Sequence, residues 1–391
     1  MRSTFSFEAL SAAIFILLSI PVEVWAIPFP HDHGLPASHV ATPTNLSEVI
    51  SSPANLTRRA PPPLTIPLAI LANSGQDQGY IASIRVGSNP RPFTVLMDSG
   101  SSEFWVISEI CRQRGRRNAI GTASSPLIAD LGVRWGTGYE DGSTLSGTVV
   151  RDTVVIGDRT IRGFPFGAAQ TLTDTLVTGI YDGIMGFGLS SVSRTGAPTP
   201  LEAMAGSLIP DAITGWKLAR SADGRNDAEI TLGGQNTAKF HPDSQVIVPN
   251  TSRGRSTTWR FTIDKIMMNG RTITDARVGI VDTGSSALFV NHEDALAVLG
   301  QIRGLVALKN GEFAIPCNAR PQLALVIGRV PFSVDPRDIV GVPIGGGLCL
   351  ANIVSDVKRK PGEWLVSIPF LKNVYLTLDV TGNQIGFAEL R

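Results

Sequence analysis

With 391 residues, 43% of them hydrophobic, the chain is long enough for two domains and too apolar to be disordered. A formal net charge of +1 gives no sign of a nucleic-acid or membrane partner. Forty glycines, 26 prolines and recurrent short runs of valine, isoleucine and threonine predict a mostly β protein of many short strands joined by turns.

In chain order, the first element is an apolar run from Ala12 to Ile20, preceded by Arg2 and followed by the small residues Val24 and Ala26. The run is short for a bilayer span, so residues 1–26 are read as a cleaved signal peptide and the protein as secreted and extracellular. Residues 27–59 are rich in Pro, Ser, Thr, Asn and His, and close on the dibasic pair Arg58-Arg59. They are read as a propeptide, with the mature chain starting near Ala60. No later stretch predicts a membrane anchor, and none is expected. Sequons begin at Asn45, Asn55 and Asn250, and only Asn250 lies in the expected mature chain, as a candidate glycosylation site. The three cysteines, Cys111, Cys317 and Cys349, have neither zinc-site nor CxxC spacing, and an odd count leaves one thiol over.

The informative feature is a repeat. "VLMDSGSSEFWV" runs from Val95 to Val106, and "GIVDTGSSALFV" from Gly279 to Val290. Each is preceded by strand-like alternation and a turn, at Gly87-Ser-Asn-Pro90 in the first copy and at Asn269-Gly270 in the second, then by a strand run into the aspartate. Two copies predict two similar halves that bring Asp98 and Asp282 to one place. The glycines Gly100 and Gly284 permit a sharp turn and close approach. The hydroxyls of Ser99 and Thr283 are suited to bonding neighbouring backbone. Two carboxylates held within about 3 Å cannot both ionise, so they share a proton. One then serves as general base towards water and the other as general acid towards a carbonyl oxygen. Of the five histidines, His31, His33, His39, His241 and His292, none lies beside Asp98, so no metal site is expected on the aspartates.

These motifs resemble those of the pepsin-like aspartic peptidases, of the secreted fungal kind, over Gln76 to Arg391. "YDGIMGFG" (Tyr181 to Gly188), "AEITLGGQN", "IPCN" and "FLKNVYLTLDVTGNQIGFAE" follow in the family's order. The resemblance implies a mostly β, bilobal fold with the active site in the cleft. An N-terminal lobe would cover 60–250 and a C-terminal lobe 251–391. It implies an endopeptidase acting on protein or peptide substrates, a monomer without cofactor. It makes Asp98 and Asp282 catalytic, with Ser101 and Ser285 as hydroxyls beside them and Trp105 as the support of a flap tyrosine. It pairs Cys317 with Cys349 in a disulfide and leaves Cys111 free.

Three places need the structure. The flap resembles "VRWGTGYEDGSTLSG": counting back from Ser146-Gly147 puts Tyr139 at its tip, counting forward puts Trp135 there, and Tyr139 is preferred. In "WLVSIPFL", Ser367 and Ile368 stand where the family has a glycine and an acidic residue. A side chain there threatens the placement of Asp282, and the alternative reading is a catalytically impaired binding protein of the same fold. The loop "CRQRGRR", from Cys111 to Arg117, lacks the family's second cysteine and reads as a solvated surface or an acidic partner site.

Overall fold

The computed structural model describes residues 60–391, apart from 253–255 and 257. The expected signal peptide and propeptide, with Asn45 and Asn55, lie outside the described residues. The chain is mostly β and bilobal. An eight-stranded sheet gathers strands between Ala69 and Gly186. A five-stranded and two four-stranded sheets are built between Trp259 and Ser367.

A six-stranded sheet joins the two halves. Its centre pairs Ile213–Lys217 antiparallel with Val374–Asp379, Ile213 opposite Asp379 and Lys217 opposite Tyr375. Leu64–Pro67 closes one edge against Glu229–Leu232, and Val246–Pro249 closes the other against Gln384–Glu389. The sheet therefore draws strands from both sides of position 250. Its central strands are covered on both faces: Val374 to Leu378 and Ile385 to Ala388 are buried without a break.

Each half contains the same strand crossing. Phe93–Asp98 runs parallel to Gly183–Gly186, which runs antiparallel to Phe104–Ile107, which runs parallel to Arg159–Leu172. In the second half Arg277–Asp282 runs parallel to Glu363–Ser367, antiparallel to Leu288–Val290, which runs parallel to Ile353–Ser355. The apolar runs on both sides of each aspartate are those central strands, buried on both faces.

The hairpin expected before Asp98 is present: Gln76–Val86 pairs with Phe93–Asp98. Before Asp282 the pairing differs from the expected simple hairpin. Asn269 and Gly270 do turn the chain, both with positive φ, but they join Lys265–Met268 to Arg271–Thr274. The strand carrying Asp282 pairs instead with Trp259–Ile263. The short second hairpin is inserted between two partners that sequence alternation alone presents as neighbours.

Cys317 and Cys349 form the disulfide, joining the end of Phe313–Pro316 to Leu348–Ala351. Cys111 is free and buried. Asn250, the candidate glycosylation site, is held by its hydrogen bonds. Its side chain is buried, donates to Asn383 Oδ1 at 2.9 Å and accepts from the amides of Arg260 (3.0 Å) and Ser252 (3.2 Å). These bonds hold a chain crossing.

Candidate active site

Asp98 and Asp282 end their strands side by side at the junction of the halves, both fully buried. The amide of Gly100 donates to Asp98 Oδ1 at 2.8 Å, and that of Gly284 to Asp282 Oδ1 at 2.8 Å. Ser101 Oγ donates to Asp98 Oδ2, and Ser285 Oγ to Asp282 Oδ2 at 2.5 Å. Each carboxyl is thus held by its own turn.

Ser99 and Thr283 cross-link the turns. The Ser99 amide donates to Thr283 Oγ1 and the Thr283 amide to Ser99 Oγ, both at 3.0 Å. Thr283 Oγ1 donates onward to Met97 O at 2.9 Å, and Ser99 Oγ to Val281 O at 3.5 Å. The hydroxyls bond backbone, as expected, but it is the backbone of the opposite half. A Cβ on Gly284 would fall 2.6 Å from Asp98 Oδ1 and 3.2 Å from Asp282 Oδ1. The glycine is therefore required by the approach of the two carboxyls themselves.

Burial pushes both acids up. Asp98 is raised to about 6, against the pull of Ser101, Gly100 and Asp282. Asp282 is raised well above the ordinary carboxylate range by burial and then by the charge of Asp98. Such a pair holds one proton between them over a wide range of acid pH and titrates as a unit.

The flap is the hairpin of Ala129–Gly138 and Thr144–Ile156, closed by a five-residue turn in which Tyr139 and Ser143 pair. Asp141 organises it, accepting from the Ser143 amide (2.8 Å), Ser143 Oγ (2.6 Å) and Thr175 Oγ1. Trp105 Nε1 donates to Tyr139 OH at 2.8 Å. Indole N–H is donor-only, so the tyrosine oxygen accepts and its own proton stays available. Burial and then Asp98 raise the Tyr139 pKa well above its ordinary value, which keeps that proton in place. Trp135 lies elsewhere: its Nε1 donates to Thr148 O at 3.0 Å and its ring covers Gly167. The tyrosine therefore stands beside Trp105, and the tryptophan is hairpin packing.

The Ser367 departure is accommodated. Ser367 lies opposite Asp282 in the parallel pair and is fully buried, with Oγ donating to Ala287 O at 2.5 Å. The bonds to Asp282 match those to Asp98, so the serine does not displace the acid. Ile368 is buried and apolar, yet a carboxylate is present close by. Asp338 accepts from Lys372 Nζ at 2.8 Å and from Arg220 Nη2 at 2.6 Å, while Lys372 also bonds Asp77 at 2.9 Å. This buried network ties the strand Gln76–Val86 to the segment following Ser367. Sequence reading missed it because Asp77 and Lys372 are 295 residues apart, and only topology brings them together.

A second missed feature crosses the cleft. At the flap tip Glu140 pairs with Arg359, and Lys358 Nζ donates to Glu140 O at 3.2 Å. The cluster Lys358-Arg359-Lys360 was the only signal in the sequence, and nothing there pointed it at the flap.

Two facing aspartates on matched turns under a tyrosine-tipped hairpin define an aspartic peptidase. The family model of eukaryotic aspartyl proteases matches residues 79–390, and the chain belongs to that family. It is 30% identical to the aspartic-type endopeptidase ctsD of Aspergillus fumigatus, over 84% of this chain and 69% of the relative. Similarity also extends to rhizopuspepsin of Rhizopus chinensis (28%, 71% of this chain, 70% of the relative) and to mouse cathepsin E (28%, 80% of each). The protein is an aspartic-type endopeptidase, and its substrates are proteins or peptides.

Proposed function

We propose that Asp98 and Asp282 hydrolyse the peptide bond by activating one water between them. The observation that carries this reading is the approach of both Oδ1 atoms to a common point, 2.6 Å and 3.2 Å from the position of a Gly284 Cβ. With one shared proton, the ionised carboxyl accepts a proton from water as its oxygen attacks the scissile carbonyl carbon. The protonated partner donates to the carbonyl oxygen. Collapse of the tetrahedral species breaks the C–N bond, and the amine leaves with the proton taken from water. Tyr139, held by Trp105, closes over the substrate and keeps bulk water out. No step calls for a cofactor.

The enzyme is read as a secreted monomer, made with a signal peptide over 1–26 and released from a propeptide over 27–59 by cleavage after Arg58-Arg59. The matched hydrogen bonds at Asp282 and Asp98 favour a working dyad over an impaired binding protein. Asp98→Asn and Asp282→Asn each keep shape and remove the shared proton, so each is expected to lower kcat on an unfolded protein substrate by at least about 10²–10⁴-fold. Pepstatin, a transition-state-like inhibitor of the family, is expected to block the unmodified enzyme. Near-normal turnover in either variant, with unchanged circular dichroism, would show that the dyad is wrongly assigned.

A further inference from the structure

We propose that a basic groove on the N-terminal lobe, away from the dyad, is an exosite for an acidic, aliphatic-containing stretch of a protein substrate. The groove has a volume of about 620 Å³ and is lined by Arg91, Arg114, Arg116, Arg117, Val177 and Ile180. Arg91 and Arg116 are exposed, as is the adjacent Arg112. Among the described residues, none of Arg91, Arg112, Arg114 and Arg116 forms an ion pair with a carboxylate of the chain. That is a local excess of charge on a protein whose formal net charge is +1.

The groove is built rather than a loose loop. Arg117 is a strut, donating to Leu176 O at 2.7 Å, Gln113 O at 2.9 Å and Arg114 O at 3.1 Å, which fixes the loop against the Thr175–Thr178 turn. The acid in the floor, Asp182, is committed to backbone: it accepts from the amides of Thr94 (2.8 Å) and Asn118 (2.7 Å). Its charge attracts Arg91 and Arg117, yet among the described residues no guanidinium forms an ion pair with it, so the N–H donors of Arg91, Arg114 and Arg116 have no carboxylate partner within the chain. Guanidinium forks suit carboxylates, each able to take one in bidentate fashion. Ile180 is 69% exposed and Val177 39%, offering aliphatic contact beside the charges. The groove's chemistry thus fits carboxylates interspersed with aliphatic side chains. The protein's own leader is a poor occupant, with Asp32 and Glu48 as its acids over 27–59 and Arg58-Arg59 at its end.

Position relates the groove to catalysis. Thr94 and Asp182 stand at the starts of the two parallel strands that end at Asp98 and Gly186, four residues away. At roughly 3.3 Å per residue the groove lies about 13 Å from the dyad along the strands. A substrate segment of about ten extended residues has more than that reach, even passing around the lobe. Holding a second segment of the substrate raises the effective concentration of the scissile one, so the exosite would act on kcat/KM.

The inference rests on the peptidase reading, and the test separates the two. Two quenched peptides share one cleavable core. One carries, beyond a flexible Gly/Ser linker of about ten residues, a tail of alternating glutamate and leucine. At about pH 5.5, where exposed glutamates are ionised, kcat/KM is expected to be about tenfold higher for the tailed peptide at low salt. The advantage should shrink as added salt screens the charges. Arg91→Glu/Arg116→Glu, and the milder Arg91→Gln/Arg116→Gln, should abolish it while the untailed peptide is cut at the unaltered rate. In parallel, the labelled tail alone is titrated by fluorescence anisotropy against Asp98→Asn protein. Binding there with no turnover of either peptide by the unmodified enzyme would sink the peptidase reading and spare the exosite. A tail preference that survives both arginine variants, no preference and no binding at all, or binding of inorganic polyphosphate without binding of the tail would each overturn the exosite.

Discussion

Around Asp98 and around Asp282 the chain builds the same strand crossing, and the residues facing the two acids differ. Gly186 lies opposite Asp98 and Ser367 opposite Asp282. A Cβ on Gly186 would fall 2.6 Å from Ser101 O and 2.8 Å from the Glu103 amide, both backbone. In the second half the same place holds a side chain whose hydroxyl bonds Ala287 O. One half keeps its turn close by omitting a side chain, and the other bridges strand to turn with a hydrogen bond. Equal bonding of the two carboxyls therefore does not require equal residues around them. The halves also differ in their cross-links: among the described residues the second has the Cys317–Cys349 disulfide, while Cys111 in the first is free and buried.

The disulfide gives the largest expected difference in stability. Cys317 and Cys349 are 32 residues apart, and closing such a loop is worth roughly 3–4 kcal/mol in the chain-entropy account. Cys317→Ser/Cys349→Ser should lower the denaturation midpoint accordingly, and Cys111→Ala should change it far less. Equal effects from the two would mean that the second half does not depend on its staple.

The facing residues come next. Gly186→Ser forces a Cβ into backbone and should destabilise by about 1–3 kcal/mol. It should also lower kcat, because the displaced atoms belong to the turn carrying Ser101. Ser367→Gly removes one buried hydrogen bond and adds backbone freedom, at a combined cost of roughly 1–2 kcal/mol. Its kcat should stay close to the original, since Asp282 is already well placed. Loss of activity in Ser367→Gly, with stability unchanged, would show that the serine serves the chemistry.

Much of this site is legible in the sequence, because the repeat around Asp98 and Asp282 is local and its glycines and hydroxyls are each needed by a bond or an approach. The strands leading to Asp98 are legible for the same reason. The strand partner of Asp282 is not, because periodicity shows that a segment is a strand and leaves its neighbour open. The Asp77–Lys372–Asp338 network and the Glu140–Arg359 pair are illegible for a related reason: each joins residues hundreds of positions apart with no flanking pattern. The burial of Asn250 is illegible too, since a three-residue motif is silent about burial.

Proton uptake by the dyad tests the burial that the two halves share. Both carboxyls are raised in the folded protein, chiefly by burial, Asp98 to about 6 and Asp282 well above its ordinary range. The folded state therefore binds protons that the unfolded chain, with carboxyls near their ordinary values of about 4, releases. Their stabilising contribution is complete below about pH 4 and is lost as pH rises through about 6 and beyond. Stability measured by urea unfolding should fall over that window. Asp98→Asn removes the charge that is the second cause of the rise in Asp282, so the loss should shift to lower pH. The double Asn variant should flatten it. A wild-type profile flat from pH 4 to 7 would contradict the burial argument.

The smallest expected effect concerns the flap tip, where the first half contacts the second across the cleft. Glu140, at the flap tip, pairs with Arg359, whose side chain is only 4% exposed against 19% for Glu140. Burial raises the Glu140 pKa, and the attraction of Arg359 only partly offsets it. As pH falls, Glu140 is thus protonated earlier than an exposed glutamate, and the ion pair weakens. Lys358 still donates to the Glu140 carbonyl, so the flap loses one of two tethers. Such a pair is worth up to about 1 kcal/mol, or roughly fivefold in an opening equilibrium. Amide exchange at the flap turn, where Tyr139 N donates to Ser143 O at 2.8 Å, reads that equilibrium directly. Corrected for intrinsic rates, protection in the unmodified protein should decline on acidification, while Glu140→Gln should be less protected at neutral pH and insensitive to acid. Arg359→Met should behave like Glu140→Gln. If all three proteins gave the same protection at every pH, the Glu140–Arg359 pair would have no mechanical consequence for the flap.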